Sequence, residues 1–138
     1  MIEISQTSLS DDLKKTILQG FSRHAVEETG MDGLTDAPIV FQALENDKFI
    51  GAVVVMLFWG QLWIKYVYVD ESHRQKGIAT QLMNVGLDYG RQQKCDFAFV
   101  ETMNFQAVGF YEKLGFHIEF TRDGYAKGTS FVYLRAPL

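Results

Sequence analysis

A chain of 138 residues with 47% apolar content can fill one hydrophobic core and calls for neither a second domain nor a covalent staple. Its single cysteine, Cys95, excludes an intramolecular disulfide framework and a cysteine-built metal cluster, so no metal is expected. A formal net charge of −4 leaves no basic footprint for gripping a polyanion, and nucleic acid is not expected as a partner.

The first residues, Met1-Ile2-Glu3-Ile4, carry no basic stretch or apolar export signal, and the most apolar run, Ile50 to Trp59, is too short to cross a bilayer. A cytoplasmic protein with no membrane partner is expected. Ser10 can cap a helix whose first turn holds Asp11 and Asp12, with Leu13, Ile17 and Phe21 recurring along one face; this predicts a helix from about Ser10 to Glu28. The stretch from Thr29 to Pro38 is dense in Gly, Asp and Thr and reads as a loop. Three extended segments follow, Ile39 to Glu45, Phe49 to Phe58 and Gln61 to Val69, joined by short hairpin connections at Asn46-Asp47-Lys48 and Trp59-Gly60. The third is apolar on both faces apart from Lys65, as a central strand covered on each side would be.

After Asp70-Glu71-Ser72-His73, Ile78, Leu82, Val85 and Tyr89 form one helical stripe that ends near Gly90. A strand from Asp96 to Thr102 and a short helix from about Phe105 to Leu114, stopped at Gly115, come next. Two last strands, Phe116 to Arg122 and Thr129 to Arg135, flank the loop Asp123 to Gly128. This order predicts one α/β (α+β) domain over residues 1–138, with a mixed, mostly antiparallel sheet of six or seven strands and helices on both faces.

Arg74-Gln75-Lys76-Gly77-Ile78-Ala79 joins a central strand to the start of the long helix. Unpaired N–H groups and the helix dipole favour an anion there, Gly77 lets it approach the backbone, and Arg74 and Lys76 add charge. The alternative is that Gly77 only eases a tight turn. No Gly-x-x-x-x-Gly-Lys-Ser/Thr and no Gly-x-Gly-x-x-Gly after the first strand is present, which disfavours a P-loop or a Rossmann dinucleotide site.

Downstream stands Asn104-Phe105-Gln106-Ala107-Val108-Gly109-Phe110-Tyr111-Glu112-Lys113-Leu114-Gly115-Phe116. With the Arg74 loop, this segment resembles the GNAT acetyltransferase superfamily, which carries Arg/Gln-x-x-Gly-x-Gly/Ala and later Asn-x-x-Ala-x-x-x-Tyr-x-x-x-Gly-Phe in the same order. The resemblance implies acetyl-CoA as co-substrate and a splayed central strand pair. It implies that Val67, Tyr68 and Val69 bond the pantetheine arm, that Gln75, Lys76, Gly77, Ile78, Ala79 and Thr80 surround the pyrophosphate with Arg74 beside them, and that Asn104 holds the arm near Ala107. Tyr111 would give a proton to the departing thiolate. Read without the family, Tyr111 is equally a core aromatic on a stripe with Ala107 and Leu114, and Asn104 a helix N-cap.

Two positions where relatives place a basic carboxylate hold Trp63 and Phe99 here. Glu101 shares the face of Phe99 by strand alternation and is the candidate base; His24, Glu27 and Glu28 are weaker ones. Acceptor choice would fall to the loops Thr29–Pro38 and Arg122–Gly128 and to aromatics such as Trp59, Trp63, Tyr66 and Tyr125. Cys95 has no nearby histidine to activate it as an acyl carrier. The expectation is direct acetyl transfer in a ternary complex to a primary amine, a small molecule. The alternatives are a non-catalytic acyl-CoA sensor or interaction module, or an acetyltransferase of protein N-termini or lysines. A homodimer formed through the last strands fits the family.

Overall fold

The computed structural model describes residues 1–33 and 37–138. The chain divides into two units, Met1–Thr35 and Asp36–Leu138. The first is built on helix α1 (Asp11–Thr29), capped as its sequence predicts: the Ser10 hydroxyl accepts from the Leu13 amide at 3.1 Å, and Gly30, at φ 74°, closes the far end by donating to Val26 O at 2.8 Å. Part of the predicted loop after it, residues 34–36, lies outside the described residues.

The second unit is a six-stranded sheet: β1 (Ile39–Glu45), β2 (Lys48–Phe58), β3 (Gln61–Val69), β4 (Phe97–Met103), β5 (His117–Tyr125) and β6 (Thr129–Pro137), in the order β1-β2-β3-β4-β6-β5. Both meander turns take left-handed backbone at their two central residues, Asn46 and Asp47 in one and Trp59 and Gly60 in the other, which matches the twist of the flanking strands. All pairings are antiparallel except β3 with β4. That parallel pair extends over only three residues, Leu62–Ile64 against Ala98–Val100, and beyond Ile64 the two strands part.

The register of β2 on β3 shifts at the same level. Val55 faces Ile64, Val54 faces Tyr66, and Lys65 has no partner, so it is a β-bulge. The extra residue reverses the alternation: Leu62 and Ile64 point into the core before it, Val67 and Val69 after it, while Tyr66 and Tyr68 stand 64% and 49% exposed. The expectation of a strand covered on both faces therefore holds only for its first half.

Helix α2 (Ile78–Gln92) crosses from β3 to β4 and packs on β1, β2 and β3. Its buried face is Leu82, Met83, Gly86, Leu87 and Gly90, whereas Val85, expected on the inner stripe, is 47% exposed. The helix turns two glycines inward, one of them where there is no room for more: a Cβ on Gly90 would lie 2.7 Å from Leu62 Cδ2, whereas one on Gly86 would make ordinary contact with Val55 Cγ1 at 3.4 Å. Helix α3 (Val108–Lys113) is shorter than the predicted Phe105–Leu114, because residues 104–107 form a turn closed by Gln106 N on Met103 O. Val53, Val55, Leu62, Ile64, Met83 and Leu134 are all at most 1% exposed, and Tyr111 and Phe116 of the α3 region join the same apolar cluster. The loop predicted at 123–128 is half strand, since β5 continues to Tyr125 before a single 3-10 turn, Ala126–Gly128. No helix among the described residues is long and apolar enough to cross a membrane.

Candidate active site

Where β3 leaves β4, a cleft of about 530 Å³ opens. Its walls are Val67, Tyr68 and Val69 of β3; Arg74, Gln75, Gly77, Ile78, Ala79 and Thr80 at the start of α2; and Ala107 and Tyr111 of the second motif. Two motifs about thirty residues apart in sequence thus meet around one space because α2 and α3 both spring from the C-terminal ends of the parallel strands.

Each wall offers a different group. On its β4 side, β3 past Ile64 has no strand partner, so backbone groups of Val67–Val69 border the cleft outside any ladder with β4, the Val69 carbonyl being taken by Arg74. The first turn of α2 presents amides with no intrahelical acceptor, and Gly77 at its cap (φ 77°) and Gln75 (φ 62°) bend the backbone there through left-handed conformations. A Cβ on Gly77 would meet nothing within 4 Å, so this glycine serves the bend rather than a close protein contact. Arg74 does more than add charge: its Nε donates to Val69 O at 3.0 Å and pins the loop to the end of β3.

Tyr111 is 6% exposed, its ring set edge-on against Phe110 and Phe116. The ring belongs to the core, as the helical stripe predicts, and the residue also lines the cleft. Its hydroxyl has no hydrogen-bond partner among the described residues, and no buried polar side-chain atom there is left unsatisfied, so the hydroxyl reaches the cleft. Burial pushes the phenol up to about 12, which keeps it protonated at any physiological pH.

Two predicted residues stand apart. Lys76 is exposed and does not line the cleft. Asn104 lies at the turn after β4, bound in both directions to Ser130: its amide donates to Ser130 O at 2.9 Å and its Oδ1 accepts from Ser130 N at 3.0 Å. It does not cap α3, whose cap position is Ala107. Sequence reading missed His73, Gln106 and Phe110, all on the cleft wall. His73 Nε2 lies 3.0 Å from Glu45 and Nδ1 3.3 Å from Asp70 and 2.9 Å from Ser72 Oγ, which itself donates to Asp70. A neutral imidazole donates through one nitrogen only, so this arrangement selects the imidazolium, and the bond to Glu45, then that to Asp70, raises its pKa. No sequence signal links residues 28 apart.

On the other face of the sheet, Glu101 is the first residue of β4 beyond its last pairing with β3. Its Oε2 accepts from Trp63 Nε1 at 3.0 Å, and Trp63 stacks on Phe99 with ring planes 16° apart. The two residues that occupy the expected carboxylate positions thus hold the one carboxylate next to them. Cys95, 6% exposed with its thiol pushed up by burial, has no feature of a nucleophile.

The family model of the GNAT acetyltransferases matches residues 7–116. Blasticidin-S acetyltransferase of Streptomyces morookaense is 28% identical over 85 residues, 61% of this chain and 62% of that protein. The chain spans about half the length of other curated relatives it matches. Among solved structures, a candidate acetyltransferase from Agrobacterium tumefaciens superposes over 100% of both chains with a TM-score of 0.88 at 22% identity. A GNAT family acetyltransferase from Elizabethkingia anophelis with acetyl-CoA bound gives 0.65 at 20% identity, over 94% of this chain and 86% of that one.

Proposed function

The chain belongs to the GNAT acetyltransferase family, and from that premise we propose that it is a single-domain N-acetyltransferase that transfers the acetyl group of acetyl-CoA to a primary amine of a small molecule, by direct attack in a ternary complex. The observation that carries this reading is the cleft itself, where an unpaired strand edge, a helix N-terminus and the Tyr111 hydroxyl border one space. Those are the groups needed to add an extended amide-bearing arm, hold a pyrophosphate and give a proton.

Val67 to Val69 bind the arm as a strand would, Gln75 to Thr80 hold the phosphates through backbone N–H groups, and Arg74 fixes that loop in place. Bound acetyl-CoA supplies an activated acyl group. Tyr111 donates to the leaving sulfur; the burial that weakens the phenol as an acid also raises the basicity of a thiolate released beside it, so their affinities for the proton draw together. Glu101, oriented by the Trp63 indole, takes a proton from the amine directly or through water. Blasticidin-S acetyltransferase, by its name a small-molecule enzyme, supports the acceptor class, and the acetyl-CoA in the E. anophelis structure supports the co-substrate. In this reading the enzyme is cytoplasmic, uses no metal, and pairs with a second copy through its last strands, β5 being an edge strand exposed along its whole length.

Calorimetric titration with acetyl-CoA, followed by thiol release across a panel of small amines, tests the proposal. Binding with release for one amine class supports it. Binding without release for any amine, or for peptides with free N-termini, moves the reading to an acyl-CoA sensor. No binding by folded protein refutes it.

A further inference from the structure

Beside Glu101, on the face away from α2, a second cavity of about 380 Å³ extends along β4 to the Trp59-Gly60 turn. Its walls are chiefly aromatic: Phe58, Trp59, Phe97, Phe99 and Tyr133. Trp59 holds a left-handed backbone (φ 50°) that costs a bulky residue about 1–2 kcal/mol, and the side chain so placed borders this cavity. Two carboxylates, Glu101 and Glu119, also line it, and their charges are spent differently. Glu119 is paired with Arg135 at 2.9 Å, and that guanidinium lies 4.2 Å from the Phe97 ring centre. Glu101 has no ion pair among the described residues; its contact is the neutral Trp63 N–H, and the nearest cation on that ring, Lys65, stands 4.8 Å from the ring centre.

We infer that the acceptor is a monocationic amine with an apolar, ring-sized body, whose ammonium sits at Glu101 and whose body lies along β4 between Phe99 and Trp59. The inference rests on the function proposed above and specifies its substrate. One uncompensated carboxylate selects one positive charge, and aromatic walls select an apolar body over a hydroxylated or polycationic one. Glu101 follows the last paired residue of β4, Val100, so the nitrogen sits at the level where β3 and β4 part.

The step balances in bonds and protons. The ammonium gives one proton to Glu101, which passes it to solvent. The nitrogen lone pair forms the bond to the acetyl carbon and the carbon–sulfur bond breaks. Sulfur takes its proton from Tyr111, and the second proton shed by nitrogen as the amide forms restores Tyr111. One ammonium and one thioester become one amide, one thiol and one free proton.

The chain has only two tryptophans, Trp59 and Trp63, and both report on this cavity, so intrinsic fluorescence measures occupancy without any cofactor. The protein is titrated at pH 7 with 2-phenylethylamine, with the neutral analogue 2-phenylethanol, and with putrescine. A charge-assisted contact predicts binding of 2-phenylethylamine about 10- to 100-fold tighter than of 2-phenylethanol, and also tighter than of putrescine. Glu101→Gln should reduce the amine to the level of the alcohol and leave the alcohol unchanged. Arg135→Ala, which frees Glu119, should improve putrescine. Equal affinity for amine and alcohol, a preference for putrescine in the unaltered protein, or indifference to both substitutions overturns the inference. Thiol release separates it from the parent reading: amine binding without acetyl-CoA binding sinks the transferase and not the cavity, whereas thiol release fastest with putrescine sinks the acceptor class alone.

Discussion

The two cavities are built by different means. The cleft between β3 and α2 is made mainly of backbone: a strand edge, a helix N-terminus and a sharp loop, with the Tyr111 hydroxyl reaching it. The cavity beyond Glu101 is lined by residues of all the strands but β1, and of the β2–β3 turn. A site of the first kind is read from spacing, because few sequences place Gly, Ala and Tyr at those intervals. One of the second kind depends on which residues end up opposite each other, and two forks of the same fold can differ there completely.

If that contrast is right, side-chain changes in the cleft should matter little except at Tyr111, while small disturbances of its backbone should matter a great deal. Tyr111→Phe is the largest case: loss of a general acid lowers the transfer rate by about 10²–10⁴, with calorimetric affinity for acetyl-CoA unchanged. Its folded-state pKa lies above the ordinary value of 10, so the neutral phenol contributes stability that is intact below pH 10 and lost as pH rises towards about 12. A spectrophotometric alkaline titration should show one late tyrosine, absent in the variant.

Gly51→Ala comes next. A Cβ there would lie 2.7 Å from Tyr68 O and would push β3 from its β2 side, displacing the strand whose opposite edge binds the cofactor arm in this reading. We expect a loss of about 1–3 kcal/mol in denaturant unfolding, as for other overpacked sites, together with a clear drop in acetyl-CoA affinity. Unchanged affinity would mean that the edge of β3 is not the binding surface.

His73→Gln should act more gently and through pH. The raised pKa of His73 means that its tie to Glu45 is present below about 6.5, the ordinary histidine value, and is lost as pH rises through the folded value. The lowered pKa values of Glu45, held down by His73, and of Asp70, held down by Ser72 and His73, mean that their share is lost only as pH falls below the usual carboxylate range. Between those limits the imidazolium stiffens the phosphate loop. Acetyl-CoA affinity should weaken a few-fold from pH 6 to 9 in the unaltered protein and stay flat in the variant. Lys76→Ala should be the smallest change, within about twofold in affinity at physiological salt, since the side chain is outside the cleft and its charge is screened.

Much of the sheet was legible because its turns were: Asn46-Asp47 and Trp59-Gly60 mark hairpins whatever surrounds them, and β1 and β3 begin and end as predicted. The inward face of α2 was not, because periodicity weighs apolar side chains and this helix packs through Gly86 and Gly90, placing Val85 outward. Asn104 was legible as a motif residue but not as the clamp on Ser130, a contact across 26 positions. The bulge was invisible for a related reason: Tyr66 and Tyr68 carry large rings that suit a buried position nearly as well as Val67 and Val69 do, so nothing in the pattern announces a change of face.

That bulge gives β3 a bend that composition does not reveal. Strand residues are read in twos, and Lys65 is a single inserted letter that changes the frame for everything after it. Its identity is nearly free, because it packs only loosely over Trp63 and Tyr66, and Lys65→Ala should leave the two halves of the strand in phase. Removing it would leave Ile64, Val67 and Val69 inward and Tyr66 and Tyr68 outward in unbroken alternation, and would take away the bend and extra twist of the strand beside the Arg74 loop while every other residue stayed the same. Relatives that lack this residue should therefore keep the same inward face and differ in the bend of the strand.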